Sequence, residues 1–194
     1  MHCNKKDFLL IFIYIVFGVL TRTVWHIAPN VEFVTAFAIA GAYFIRKSYS
    51  AAIPLGIMVI SDFLIGNTAI YLFTWSAFGI AWILGKILAS ERIKEAFDRV
   101  HRILKLGIMS EMGGVIFTLF FYLWTNFGVV VVSNLYPKTL EGLLLSYKMG
   151  LPFLVPQLLG NALIVPAIFI FTELTYNGKL RIFLWVRQKI WVRR

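Results

Sequence analysis

Arg22 and Asp62 are the residues of this chain best placed to do polar chemistry inside a membrane. Each sits near the end of a long apolar run, Arg22 in VLTRTVWH and Asp62 in MVISDFLIGN. An ionisable group in such a place costs about 2.5 to 3.5 kcal/mol on insertion scales, so each requires a partner or a ligand. Their runs are the first and third of an alternating set, which brings both residues to the same side at similar depth. A structural ion pair is the plain interpretation, and a polar ligand site is the sharper one.

His26 and Asn30 follow Arg22 in RTVWHIAPN, where Pro29 stops the first helix from continuing. A lone histidine at a membrane edge is usually a hydrogen-bonded interface residue. Together, Arg22, His26, Asn30 and Asp62 make a polar mouth suited to binding a small molecule. Further along, Asn126 in LWTNFG adds an amide on the same side, and Tyr136 and Tyr147 flank the segment SNLYPKTLEGLLLSYKMG. Each tyrosine also fits an ordinary interface position. The run GLPFLVPQLLGNALIVPAIF carries Pro152, Pro156 and Pro166 with Gln157, Gly160 and Asn161. Proline leaves a backbone carbonyl without its donor, so this helix is either a kinked packing element or one opened toward a cavity.

Catalytic signatures are absent. The sequence has no HExxH, GxSxG or GxxxxGK[ST] motif and no cluster of His or Cys, so neither a metal site nor a cofactor is expected and the chain is not expected to be an enzyme. Its lone cysteine, Cys3, excludes a disulfide framework.

The elements that must position these residues follow from hydropathy. Of the 194 residues, 60% are hydrophobic and 14% charged, and the mean hydropathy is +0.81. A soluble domain of this length needs more polar surface than that. Six apolar runs are evident, at about 8–25, 31–45, 50–65, 69–88, 106–131 and 151–172. In lipid the backbone must satisfy itself, so such runs predict helices. The expected fold is therefore all-α, a polytopic membrane helix bundle of about six transmembrane helices in one integral domain over 1–194. The second and third runs are short, which predicts a thin or tilted region or helices shielded by neighbours. Between the fifth and sixth runs, a short helix or re-entrant cap is expected near Pro137.

Charge gives orientation. The nineteen Lys and Arg give a formal charge of +10. All but Arg22, Lys138 and Lys148 fall on one side of the alternating set, which predicts an inner-membrane protein with both termini in the cytoplasm. No aromatic-interleaved basic face accompanies this charge, so nucleic acid is not an expected partner; membrane lipid is. Two basic segments, at about 90–104 and 179–194, read as amphipathic helices lying at the interface.

In AFAIAGAYF, Ala36 and Ala40 are spaced by four with Gly41 beside them. Small residues at that spacing let helices approach closely. Packing within the bundle is the plain reading, and a docking face for a second membrane subunit is the alternative.

The series RTVWHIAPN, AFAIAGAYF, AAIPLGIMVISD, TNFG, LYPKTLEGLLLSY and LPF, running from about Arg22 to Asn161, resembles a bacterial membrane family of unknown function. That family in turn resembles the substrate-binding S components of energy-coupling-factor (ECF) vitamin importers. The resemblance implies six helices and an outward substrate pocket formed by Arg22, His26, Asn30, Asp62, Asn126, Tyr136 and Tyr147. It also implies a docking face at Ala36, Ala40 and Gly41 that meets a transmembrane coupling subunit and its ATPase module. Asn161 is a further candidate for the pocket.

The expected function is thus a non-catalytic, substrate-capturing subunit of a vitamin or small-metabolite importer. Two other classes remain open: a structural or assembly protein without a ligand, and a solitary carrier in which Asp62 or Glu111 titrates. An importer subunit predicts a cavity beside Arg22 and Asp62; a structural protein predicts a packed pair with none.

Overall fold

A computed structural model describes residues 4–25, 30–66, 69–96 and 101–176. The described residues are almost wholly helical, as the apolar runs predict. In order they form α1 (Lys5–Thr23), α2 (Val34–Phe44), a 3₁₀ turn (Ser48–Ala51) leading into α3 (Ala52–Ile65), α4 (Tyr71–Leu88), α5 (Glu91–Ala96), α6 (Arg102–Val132) and α7 (Leu140–Tyr176). The segments Ser48–Ile65, α4, α6 and α7 are long and apolar enough to cross a membrane, and α2 is a shorter apolar helix. Large side chains cover the outside: Phe63 is 88% exposed and Leu163 75%. Such a belt suits lipid and not water. The chain is a polytopic helical membrane protein.

Helix α2 lies at the centre. It touches α1, α3, α4, α6 and α7, and every residue from Val34 to Ala42 is buried. Eleven residues reach only about 16 Å at 1.5 Å per residue, well short of the roughly 30 Å hydrocarbon core. Its neighbours shield it, so its ends need not reach the headgroups.

Small residues allow this enclosure. A methyl group on Gly85 of α4 would lie 2.3 Å from the Ile39 carbonyl oxygen of α2, so the two backbones touch only because Gly85 has none. Ala36 and Ala40 are fully buried and Gly41 is buried with them. A methyl on Gly41 would meet Ile53 Cδ1 of α3. In the described structure these three residues pack α2 against its own bundle.

Helix α7 departs from expectation in length. The cap expected near Pro137 and the sixth run form one helix of 37 residues, with Pro152, Pro156 and Pro166 inside it. At about 55 Å it outruns the hydrocarbon, as α6 does at about 46 Å. The two pack along each other as a hairpin. Tyr122 of α6 donates to the Tyr147 carbonyl at 2.5 Å, one residue before the Lys148 carbonyl that Pro152 deprives of its helical donor.

The basic segment near 90–104 is divided. α5 covers Glu91–Ala96, residues 97–100 lie outside the described residues, and Arg102 opens α6 after His101 takes an extended conformation. The tail at 179–194 also lies outside the described residues.

At this basic end, buried carboxylates are held by hydroxyls and an arginine. Asp7, 7% exposed, accepts from Tyr49 and from Tyr176. Glu173, fully buried, accepts from Arg102 at 2.7 Å. These contacts tie α1 to the 3₁₀ turn and α6 to α7.

Candidate functional site

The opposite end of the bundle is built differently, with two cavities. Arg22 occupies the last turn of α1, and its guanidinium reaches across to α3. One terminal nitrogen donates to Asp62 Oδ1 at 2.8 Å and the other to the Met58 sulfur. Asp62 is 7% exposed, and its second oxygen accepts the Trp75 indole N–H at 2.6 Å. Three helices thus converge on one carboxylate. Asp62 lies behind Arg22 and is absent from both cavity walls.

Beside this pair is a cavity of about 280 Å³, lined by Thr21, Arg22, Asn30, Glu32, Thr74 and Phe121 among others. Asn30 holds φ at +59°, a left-handed conformation that asparagine tolerates better than most side chains. The turn it makes carries the chain from the Arg22 end into α2 and places Glu32 at the cavity. Glu32 sits two residues ahead of α2, and its side chain is 21% exposed. Its one ion-pair contact among the described residues is with Arg22 Nε at 3.7 Å. Burial pushes the Glu32 carboxyl above the usual carboxylate range; the Arg22 charge pulls it back, and the Asp62 charge adds to the rise.

A second cavity, also about 280 Å³, opens between α6 and α7. Asn30 and Phe121 line both cavities and so form their shared wall. Its other walls include Tyr122, Asn126, Tyr136, Phe153 and Gln157. Asn126 is fixed by its neighbours: its amide donates to the Tyr122 carbonyl at 2.8 Å, and Ser146 donates to its backbone carbonyl at 3.1 Å. Gly150 leaves room for this amide, since a methyl there would come within 2.6 Å of Asn126 Oδ1. Gln157 is 4% exposed and makes no hydrogen bond among the described residues. Its amide stands at the cavity wall, where it can bond water or a ligand. At volumes near the lower bound for small-molecule sites, roughly 300 Å³, each cavity alone is small and the adjoining pair is ample.

The residues singled out from sequence are distributed as follows. Arg22 and Asn30 line the first cavity; Asn30, Asn126 and Tyr136 line the second. His26 lies outside the described residues. Tyr147 is in neither wall and packs its ring 5.8 Å from that of Tyr122. Asn161 is elsewhere: buried between α6 and α7, it donates to Thr118 at 2.7 Å and serves as an interhelical tie.

Glu32 and Trp75 are new, and Gln157, noted in the proline-rich run but not placed in the pocket, joins them. Glu32 was legible as an acidic residue at the edge of an otherwise apolar run, two positions from Asn30. Gln157 was legible as an amide between Pro156 and Gly160. Trp75 carried no signal, because its role depends on the angle at which α4 meets α3. Glu111 of α6 carries a buried side-chain oxygen, Oε2, without a hydrogen-bond partner among the described residues.

Among the described residues no group of three or more His, Cys, Asp or Glu is arranged to hold a metal ion. Comparison with curated proteins and with solved structures finds no match. A family of unknown function, DUF6580, matches residues 3–182. Because that match spans nearly the whole sequence, the chain belongs to the DUF6580 family.

Proposed function

We propose that this protein is a substrate-capturing membrane subunit of a small-metabolite importer, working without covalent catalysis in the manner of an ECF S component. The observation that carries this reading is the pair of adjoining cavities beside Arg22, walled by Asn30, Glu32, Asn126 and the Gln157 amide. A packed structural pair does not require such space. The Arg22–Asp62 bridge serves as scaffold here, and the ligand contacts come from the residues in front of it. This chain has no nucleotide-binding motif, so energy for transport comes from a partner or from a gradient. The site faces outward if the basic end is cytoplasmic.

Native mass spectrometry of the protein, purified gently from its own host, tests this reading. Wild type carries a small molecule, and Gln157→Leu loses it. Since Gln157 makes no hydrogen bond within the described structure, the leucine variant keeps its thermal stability or gains up to about 1 kcal/mol. A wild-type protein that arrives without a ligand supports the structural reading instead.

A further inference from the structure

The charge balance of the first cavity names a class of ligand for this proposed site. An arginine near a membrane surface suggests capture of an anion, but the geometry of Arg22 argues against that. Its two terminal nitrogens are engaged by Asp62 and Met58, and Asp62 at 2.8 Å offsets its charge. Glu32 is different. It lines the cavity, and its nearest cation among the described residues is the same guanidinium at 3.7 Å, already shared with a closer carboxylate. Among the described residues two carboxylates therefore stand against one arginine, and the surplus negative charge lies on the cavity side. A partly buried, weakly paired carboxylate is costly unless it takes up a proton or a second cation.

The remaining walls suit the rest of such a molecule. Phe78 and Phe121 stand in the first cavity, and aromatic faces attract ammonium groups at short range. Beyond Phe121, the second cavity offers Tyr122, Val129 and Phe153 to an apolar body and the Gln157 amide to a polar substituent.

We propose that the ligand is an amphipathic organic cation, with a protonated amine held by Glu32 and an apolar or aromatic body reaching past Phe121 into the cavity between α6 and α7. This rests on the ligand-binding reading above and adds its charge.

Three probes of one shape test it: 2-phenylethylamine, 3-phenylpropionate and 2-phenylethanol, each titrated against the purified full chain in detergent, with thermal shift and calorimetry as readouts. The amine binds at least about tenfold more tightly than the carboxylate, as expected for a partly buried charge contact. Glu32→Gln removes that preference, and Glu32→Asp, which keeps the charge, retains it. A carboxylate that binds as well as the amine overturns the proposal, as does an amine preference indifferent to Glu32→Gln. Binding of none of the three also overturns it. In each of these cases the ligand-binding reading stands or falls separately, on whether native mass spectrometry finds a small molecule in the wild type.

Discussion

The Trp75 indole N–H and the Asp62 carboxylate meet at 2.6 Å, on the oxygen that Arg22 leaves open. This contact makes Asp62 a junction of α1, α3 and α4 and explains why a carboxylate survives in so apolar a helix. Removing the Asp62 carboxylate leaves the partly buried Arg22 with only the longer contact to Glu32 among the described residues. Asp62→Ala is expected to cost about 3–5 kcal/mol, the range for breaking a buried pair on one side. Trp75→Phe removes one hydrogen bond to a charged group and costs about 1.5–3 kcal/mol. Unfolding in mixed micelles by increasing detergent denaturant measures both.

The close approach of α2 and α4 gives a graded prediction for glycine. At Gly85 a methyl group collides with backbone, the Ile39 carbonyl oxygen, which cannot move without shifting the helix. Gly85→Ala is therefore expected to cost about 1–3 kcal/mol or more. At Gly41 the collision is with the terminal carbon of Ile53, a side chain able to rotate, so Gly41→Ala costs less. Gly79 has nothing within 4 Å of an added methyl, and Gly79→Ala is neutral or stabilising by up to about 1 kcal/mol through helix propensity. Thermal unfolding of the three variants gives the order; equal losses at all three sites contradict the packing described.

At the basic end, Asp7 receives two tyrosine hydroxyls from different elements, Tyr49 beside α3 and Tyr176 at the end of α7. Each hydrogen bond to an ionised carboxylate is worth about 1.5–3 kcal/mol. Tyr49→Phe and Tyr176→Phe each lower stability in that range, and the double variant departs from additivity because both act on one carboxylate. A double-mutant cycle by chemical unfolding reads the coupling directly.

Orientation is testable by labelling. In a Cys3→Ser background, a cysteine at Thr74, in the wall of the first cavity, reacts with a membrane-impermeant maleimide added to intact cells. A cysteine at Lys47, at the opposite end, reacts only after permeabilisation. The reverse pattern would place the cavities on the cytoplasmic face.

Much of the fold is legible in the sequence because lipid leaves the backbone few choices: each of the six apolar runs forms a helix. The errors arise where a local signal competes with a tertiary partner. A separate cap was expected between the fifth and sixth runs, yet α7 runs from Leu140 on through Pro152 and Pro156, with α6 packed along it and Tyr122 bonded beside the gap. Ala36, Ala40 and Gly41 signalled close helix contact correctly, but their spacing carries no information on whether the partner is internal or external. Only the enclosure of α2 on every side decides that. At the site, the pairing of Arg22 with Asp62 follows from depth and charge alone. Glu32 was legible as an acidic residue at the edge of its run, but the division between scaffold carboxylate and cavity carboxylate depends on angles between helices that no residue pattern records.

The most direct test of the central claim is an experimentally determined structure of the protein extracted from its own host without added ligand. The account predicts continuous non-protein density running from Glu32 past Phe121 to Gln157. Two cavities that hold only ordered water, or that close around the Arg22–Asp62 bridge, would contradict it.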